Sequence, residues 1–274
     1  MSYLSHNFVT NRVGGDGDGS RAGQSIYEES STPKFALGEK LELADGRCFR
    51  YGYTSAAINA AELVSHTTSE VSLVDTDNIV LTKAASLAAG AVGFSPEAGS
   101  TQFQITLGSV TENQYAGGLF QVVNDGGDGI GEGIQYRIKA NSATGFTTSG
   151  KVDIELYDPI NVTMTAASDI AITGGLWNQL RASLPVYNMM LCGVSPIAFT
   201  ANYYGWFQTA GVALISSDGA IAIGANLTLS DDGTAASAGH VQLKDAETEP
   251  LVGFAMFASD DDAHVAVLLQ CLVP

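Results

Sequence analysis

The sequence predicts an all-β protein in which antiparallel β-barrel or β-sandwich domains follow an extended N-terminal arm. Three observations favour this fold class: apolar and polar residues alternate at period 2, Asp-Gly pairs separate the alternating runs, and helical patterns are scarce. Alternation of this kind gives a strand one buried and one solvated face. Because the runs are short and close in sequence, we expect neighbouring strands to pair antiparallel.

The first predicted element is an extended arm over residues 1–34. This stretch is polar, carries the run GGDGDG at Gly14–Gly19, and shows neither the period of a strand nor that of a helix. Its glycines would give the backbone wide conformational freedom. The candidate contact residues of the arm are its apolar side chains Tyr3, Leu4, Phe8 and Val9.

The composition changes at Lys34, where short apolar segments begin to alternate with turn residues. We predict a β-rich domain with a central hairpin over residues 35–190 and a small β-barrel over residues 191–274. Whether residues 66–190 form a separate protruding domain stays open. The strand prediction rests on the alternating residues Phe103, Ile105, Leu107, Ile134, Tyr136, Ile138, Val152, Ile154, Leu156, Ile221, Ile223, Leu227 and Leu229.

Turn and helix signals complete the secondary-structure prediction. The pairs Asp45-Gly46, Asp218-Gly219 and Asp232-Gly233 tolerate positive φ and so suit hairpin connections. Two alanine-rich stretches, AINAAELVSH from Ala57 and LTKAASLAAGAVG from Leu81, are candidates for short helices.

The stretch NDGGDGIGEG, Asn124–Gly133, admits three interpretations. An EF-hand calcium loop would place oxygen ligands at its third and twelfth positions, where this chain has Gly126 and Gln135. A dinucleotide-binding loop would need GxGxxG between a strand and a helix, but the flanking runs here predict two strands. We therefore favour a glycine-rich hairpin loop with solvated acidic residues, which joins strands predicted at 118–123 and 134–139. Whether this loop binds a cation stays open.

The charge balance excludes two classes of partner. The 29 Asp and Glu residues against 12 Lys and Arg give a formal net charge of −17. Binding to nucleic acid or to an anionic membrane surface works by neutralising negative charge with Lys and Arg. We expect neither nucleic acid nor membrane as a partner.

No motif predicts a catalytic residue, a cofactor or a metal site. Cys48, Cys192 and Cys271 have no CxxC spacing, which argues against a disulfide framework and a zinc knuckle. The four histidines stand far apart and belong to no metal-binding or catalytic motif. We therefore expect a protein that is not an enzyme.

The aromatic cluster YYGWF supplies the remaining candidate site. So many large aromatic side chains in five residues either anchor a core or form a contact surface. The core is favoured, because large aromatic side chains are usually buried. Its candidate contact residues are Tyr203, Tyr204, Trp206 and Phe207.

The C-terminal segment resembles the small β-barrel cement, or decoration, proteins of tailed-bacteriophage capsids. Its matching pieces are the strands Gly211–Ile215, Leu251–Ala255 and Val265–Leu269, with the hairpin Ile223–Gly233 between the first two. The central runs NQYAGGLFQVVNDG, GIQYRIKAN and KVDIELYDPI also look like virion proteins of marine phages.

The resemblance implies a non-enzymatic virion structural protein that decorates and stabilises the capsid. Its partners would be the major capsid protein and further copies of itself, in a homo-oligomer expected to be a trimer. It would be made in the host cytoplasm and reside on the capsid exterior. One alternative is a tail or fibre-associated virion protein that binds a host receptor or glycan, and another is a carbohydrate-active β enzyme that uses a carboxylate pair.

Overall fold

The structure is a computed structural model that describes residues 20–21, 23–66, 79–80, 97–106, 110–124, 131–145, 150–164, 169–184 and 190–270. Within these ranges all strand pairs are antiparallel and no helix occurs. Neither of the two large sheets closes on itself among the described strands. The all-β, antiparallel prediction is confirmed, and the open sheets fit its sandwich form rather than its barrel form.

Eighteen short segments of the described chain are strands. In chain order they are β1 (Ser20–Arg21), β2 (Gln24–Ser25), β3 (Lys40–Glu42), β4 (Cys48–Tyr53), β5 (Leu63–His66), β6 (Ile79–Val80), β7 (Gln102–Thr106), β8 (Leu119–Asn124), β9 (Gln135–Asn141), β10 (Lys151–Leu156), β11 (Asp169–Thr173), β12 (Leu180–Ala182), β13 (Met190–Val194), β14 (Tyr204–Ser216), β15 (Asn226–Leu229), β16 (Val241–Leu243), β17 (Gly253–Ala255) and β18 (His264–Leu269).

The chain divides into two compact units. Unit 1 contains Met1–Thr67 together with Gln179–Pro274, and unit 2 contains Thr68–Asn178. This division differs from the predicted domain boundaries at residues 34/35 and 190/191. The physical reason is long-range pairing, because β4 and β5 form one sheet with β13 and β14.

Unit 1 is built on a ten-stranded sheet. Its path runs β12-β5-β13-β14-β18-β17-β15-β16, and β3 and β4 join it beside β14. The first half of β14 pairs with β4 and the second half pairs with β18. One buried cluster contains Phe49, Tyr51 and Trp206, and the other contains Ile215, Val265 and Val267. The strand β14 therefore contributes to both of these clusters.

The two points where the chain leaves and re-enters unit 1 are neighbours. Strand β5 ends at His66 and β12 begins at Leu180, and these two residues lie opposite each other in an antiparallel pair. Thus β5 and β12 have the geometry of a hairpin, although the whole of unit 2 separates them in sequence.

Unit 2 is a six-stranded sheet with the order β6-β11-β8-β9-β10-β7. Alternate residues of its strands enter one apolar cluster, as the period-2 pattern predicts. The predicted core residues found there are Phe103, Ile105, Tyr136, Ile138, Val152, Ile154 and Leu156. The predicted hairpin is also confirmed, since β8 pairs with β9. Leu107 lies outside the described residues.

Other local predictions have mixed outcomes. Asp45-Gly46 joins the paired strands β3 and β4, with Gly46 at a φ of 86°. The helix predicted from Ala57 is wrong, because this segment ends in β5 and Ala61 has a φ of 61°. Ile223 is exposed and lies outside any strand, whereas Ile221 is buried. The stretch predicted as a helix from Leu81 to Gly93 lies outside the described residues.

Part of the predicted arm is packed rather than extended. Ile26 is 1% exposed and belongs to the same apolar cluster as Trp206. Ser30 exchanges backbone hydrogen bonds with Tyr204 at the start of β14. Residues 23–34 are thus part of unit 1, because this segment packs an apolar side chain into the core and forms backbone hydrogen bonds with β14.

Gln24 fixes this segment in place through its side-chain amide. The Tyr51 hydroxyl donates to Gln24 Oε1 at 2.7 Å. Gln24 Nε2 donates to the carbonyl oxygens of Glu28 at 2.8 Å and Tyr204 at 3.1 Å. A side chain with three such bonds at a buried position connects the N-terminal segment to two strands.

We expect Gln24→Ala to lower the free energy of unfolding by about 2 kcal/mol, because it leaves buried polar groups without partners. The control is Gln135→Ala at an exposed position of β9, where the change should stay within about 0.5 kcal/mol. Urea unfolding of both variants measures the difference. Equal losses would show that the buried amide contributes nothing beyond an ordinary surface residue.

Candidate docking surface

The sheet of unit 1 carries an exposed apolar surface on β14, β17 and β18. Two rows of side chains cross these strands: Val212 lies opposite Leu268, which lies opposite Phe254, and Leu214 lies opposite Ala266. Met256 extends the second row, since its amide donates to the Ala266 carbonyl. We call this surface the outer apolar face, and its most exposed members are Val212 (42%), Leu214 (52%), Met256 (49%) and Leu268 (44%).

The outer apolar face contains no acidic side chain. The outward positions of β14 from Val212 to Ser216, of β17 and of β18 hold neither Asp nor Glu. In a chain with 29 acidic residues, such a surface lacks the charges that would oppose apolar contact. Contiguous exposed apolar side chains on a folded protein commonly mark an interaction site.

A cleft of about 460 Å³ adjoins this face. Its apolar lining residues include Val212, Leu214, Ala266, Ala60 and Pro196. Its polar lining residues are Tyr27, Arg47, Ser195, Gln208 and His264, and no lining residue is acidic. The Arg47 Nε donates to Asp45 Oδ2 at 2.7 Å, which neutralises much of its charge. The cleft is therefore suited to an apolar segment with backbone polar groups more than to a strongly charged ligand.

The structure separates the four predicted contact aromatics into two pairs. Trp206 and Phe207 are both 0% exposed, so their rings have no surface to offer a ligand in this chain. Tyr203 and Tyr204 are half-buried, and the ring of Tyr204 lies 4.7 Å from that of Tyr53. The core interpretation fits Trp206 and Phe207, because the first half of β14 is covered on both sides.

The other predicted sites fall outside the described residues. These are the arm contacts Tyr3, Leu4, Phe8 and Val9, and positions 125–130 of the glycine-rich loop. Within the described part of the chain, no group of three or more His, Cys, Asp or Glu is placed to hold a metal ion. The same part contains no helix that is long and apolar enough to cross a membrane.

Cys192 is the most deeply buried thiol that the structure describes. It is 0% exposed, and its Sγ donates to the Met190 carbonyl at 3.3 Å. Burial raises the pKa of the Cys192 thiol to about 12. Since the thiolate is the nucleophilic form, Cys192 is a core residue rather than a reactive one.

His66 is a buried titratable group at the end of β5. Its side chain is 7% exposed, and its Nε2 has no hydrogen-bond partner among the described residues. Desolvation lowers the pKa of His66 below its ordinary value. The native state therefore holds this imidazole neutral, while the unfolded chain protonates it in mildly acidic solution.

We expect His66 to make the protein less stable as the pH falls. Because the pKa of His66 is lower in the native state, its contribution is complete above its unfolded pKa of about 6.5 and is lost as the pH falls below that value. The measurement is urea unfolding between pH 7.5 and pH 5.5, for the wild type and for His66→Gln. The stability difference between the two should shrink with acidification, whereas a constant difference would contradict the prediction.

Comparison of the chain with protein-family profiles, with curated proteins and with solved structures finds no match in any of the three. The chain's own surfaces are therefore the basis for assigning a function.

The sequence did contain a signal for the outer apolar face. The run GVALI in β14 is apolar at consecutive positions rather than alternate ones. A strand that is apolar on both faces is expected to be covered on both. Here Ala213 and Ile215 enter the core, while Val212 and Leu214 stay exposed. A continuous apolar strand with one uncovered face is the pattern that identifies this surface.

Proposed function

We propose that this chain is a non-enzymatic structural protein of a phage virion, which decorates the capsid as a homo-oligomer. It binds the outer surface of the shell of major capsid protein and stabilises the shell against disassembly. The observation that carries this proposal is the outer apolar face, which is exposed, contiguous and free of acidic residues. The resemblance of residues 211–269 to capsid cement proteins supplies the class of partner.

The energetics of such a surface suit a repeated structural contact. Burying one large apolar side chain contributes about 1.5 to 3 kcal/mol relative to leaving it exposed, before the cost of association is counted. The four most exposed members of the face therefore provide a modest affinity for each copy. Many copies on one particle, together with contacts between copies, convert modest affinities into stable decoration.

The tail or fibre alternative is less well supported. It would use the aromatic cluster to bind a receptor or glycan, but Trp206 and Phe207 are fully buried. Tyr203 and Tyr204 are the two candidate side chains of that cluster that stay partly accessible.

The proposal is tested by quantifying the chain in purified phage particles from a source that encodes it. Mass spectrometry against the major capsid protein should give hundreds of copies per particle, while a fibre protein would give few. The recombinant Leu268→Asp variant should bind particles stripped of this protein more weakly than the wild type does, because it places a charge on the outer apolar face. The control is Tyr157→Asp at a similarly exposed position of unit 2. Absence from particles would refute the proposal.

A further inference from the structure

Unit 2 contains a depression of about 300 Å³ on the face of its sheet that is turned away from the apolar cluster. We call it the unit 2 depression. Its floor includes two small side chains, Ala140 in β9 and Ser142 directly after that strand. A concave site of this volume is at the small end of the range of ligand pockets. Its longer polar lining residues are Gln102, Glu112, Asn113, Asp153 and Glu155.

The strand register places these polar side chains on one face. Glu155 lies opposite Gln102 in β7 and opposite Ala140 in β9. Asp153 points to the same side as Glu155, because both alternate with buried residues of β10. From β7 to β9 the floor spans two strand spacings, about 10 Å. This width accommodates one pyranose ring with its hydroxyl groups.

Three of the lining side chains are available to a ligand. Within the described part of the chain, the side chains of Gln102, Glu112 and Asn113 form no hydrogen bond or ion pair. The amides of Gln102 and Asn113 each offer both donors and acceptors, and the carboxylate of Glu112 offers acceptors. This combination suits hydroxyl groups, which donate and accept together. A cation would leave the amide donors unused.

Two of the lining residues are held in place by their neighbours. The Asn113 amide donates to the Asn141 carbonyl at 2.8 Å, and the Asn113 carbonyl accepts from Asn178 Nδ2 at 3.0 Å. Glu155 Oε1 accepts from Lys139 Nζ at 2.6 Å. Because these groups are already positioned, a ligand that binds them loses less of its affinity to ordering.

The charge of the depression excludes acidic ligands. Its lining contains the three carboxylates of Glu112, Asp153 and Glu155, and Lys139 balances one of them. A sulfate, phosphate or carboxylate group would be repelled there. Among the described residues, no group of three or more His, Cys, Asp or Glu is placed to hold a metal ion. A neutral ligand rich in hydroxyl groups is the class that fits.

An exposed aromatic ring lies beside the depression. Tyr157 follows Glu155 by two residues, a distance of about 7 Å along an extended chain, and its side chain is 50% exposed. Its amide donates to the Arg137 carbonyl at 3.0 Å, and the Arg137 guanidinium lies over the ring at 5.1 Å from its centroid. The apolar C–H face of a second sugar residue can pack against such a ring.

We propose that the unit 2 depression binds neutral saccharides. Gln102, Glu112, Asn113 and Glu155 bond to the hydroxyl groups of one sugar residue, and Tyr157 packs against the next. The inference goes beyond the proposed function and does not rest on it, because every residue involved belongs to unit 2, whereas the outer apolar face belongs to unit 1.

Saturation-transfer NMR of the full-length chain tests the inference, with maltose, cellobiose, lactose and mannobiose as probes. At least one of these neutral disaccharides should bind, while N-acetylneuraminic acid and tetralysine should not. Failure of all four disaccharides to bind would overturn the inference. Binding of tetralysine in their place would also overturn it and would indicate a basic partner instead.

Two variants locate the binding in the depression. Gln102→Ala removes one amide, and Asn113→Gly removes another while glycine retains the φ of 58° found there. Each should raise the Kd of the bound disaccharide about tenfold, as expected for one lost hydrogen bond. The matched control is Gln135→Ala, which removes an exposed amide of β9 that does not line the depression. Unchanged Kd in the two folded variants, or an equal loss in the control, would overturn the inference.

The outcomes for this site and for the proposed function are separable. Saccharide binding by a protein that is absent from phage particles would support this inference and refute the virion function. Hundreds of copies per particle with no saccharide binding would give the opposite result.

Discussion

Trp206→Ala is expected to lower the free energy of unfolding by about 3 to 5 kcal/mol, because it removes the largest fully buried side chain of unit 1. The Trp206 ring is 0% exposed and lies 5.1 Å, between ring centroids, from both Phe35 and Tyr51. Its removal leaves a cavity among groups that hold residues 23–34, β4 and β14 together. Urea denaturation followed by far-ultraviolet circular dichroism measures the loss.

Two further variants identify the cause of this loss. Trp206→Phe should cost much less, because it keeps a ring in the cluster and removes an indole N–H that has no partner in the described structure. Phe257→Ala removes a ring that is 45% exposed and should change stability by about 0.5 kcal/mol or less. A similar loss for Trp206→Ala and Phe257→Ala would contradict the cavity explanation.

Gly118→Ala is expected to destabilise unit 2 by about 3 kcal/mol or more. A Cβ at Gly118 would lie 2.0 Å from the Thr173 carbonyl oxygen and 2.9 Å from the Gly175 nitrogen. Both are backbone atoms, so no side chain can rotate away to relieve the clash. The segment before β8 and the segment after β11 must therefore separate. This separation strains the pairing of β8 with β11, which consists of five residue pairs.

The matched control is Gly150→Ala. Gly150 has a φ of 71°, but a Cβ there meets no atom within 4 Å, so the cost is backbone strain alone at about 1 kcal/mol. Thermal unfolding by circular dichroism compares the two variants. If Gly118→Ala costs no more than Gly150→Ala, the close approach of the two segments is not what requires glycine.

Local patterns predicted the strands of unit 2 well. The alternation in QYRIKAN and KVDIEL places Tyr136, Ile138, Val152 and Ile154 in the core, because each strand has one covered face. The turn Asp45-Gly46 was equally clear, since a hairpin at that position requires positive φ. Information of this kind lies within a few residues of the position it describes.

Long-range pairing could not be predicted from such patterns. The alanines of AINAAELVSH favour a helix locally, yet β5 forms because β12 and β13 lie on either side of it. The same pairing moves residues 35–67 into the unit of the C-terminal strands. It also buries Trp206 and Phe207 together, which a single covered face would not do.

The candidate site was missed for a related reason. An apolar run such as GVALI indicates burial but not whether both faces are covered. The cleft beside β14 depends on where Val194 and Ala61 meet that strand, and these two residues are distant in sequence. Only the assembled sheet brings these residues to one cleft.

The opposed positions of His66 and Leu180 have a consequence for how this chain can vary. A two-residue Asn-Gly link in place of residues 67–179 would join β5 to β12 as an ordinary tight reverse turn and leave every other strand of the sheet with its neighbours. Residues 67–179 contribute no strand to the unit 1 sheet among the described residues, so their deletion would leave that sheet complete. The same junction would accept an unrelated module without changing the pairing of the described strands of unit 1.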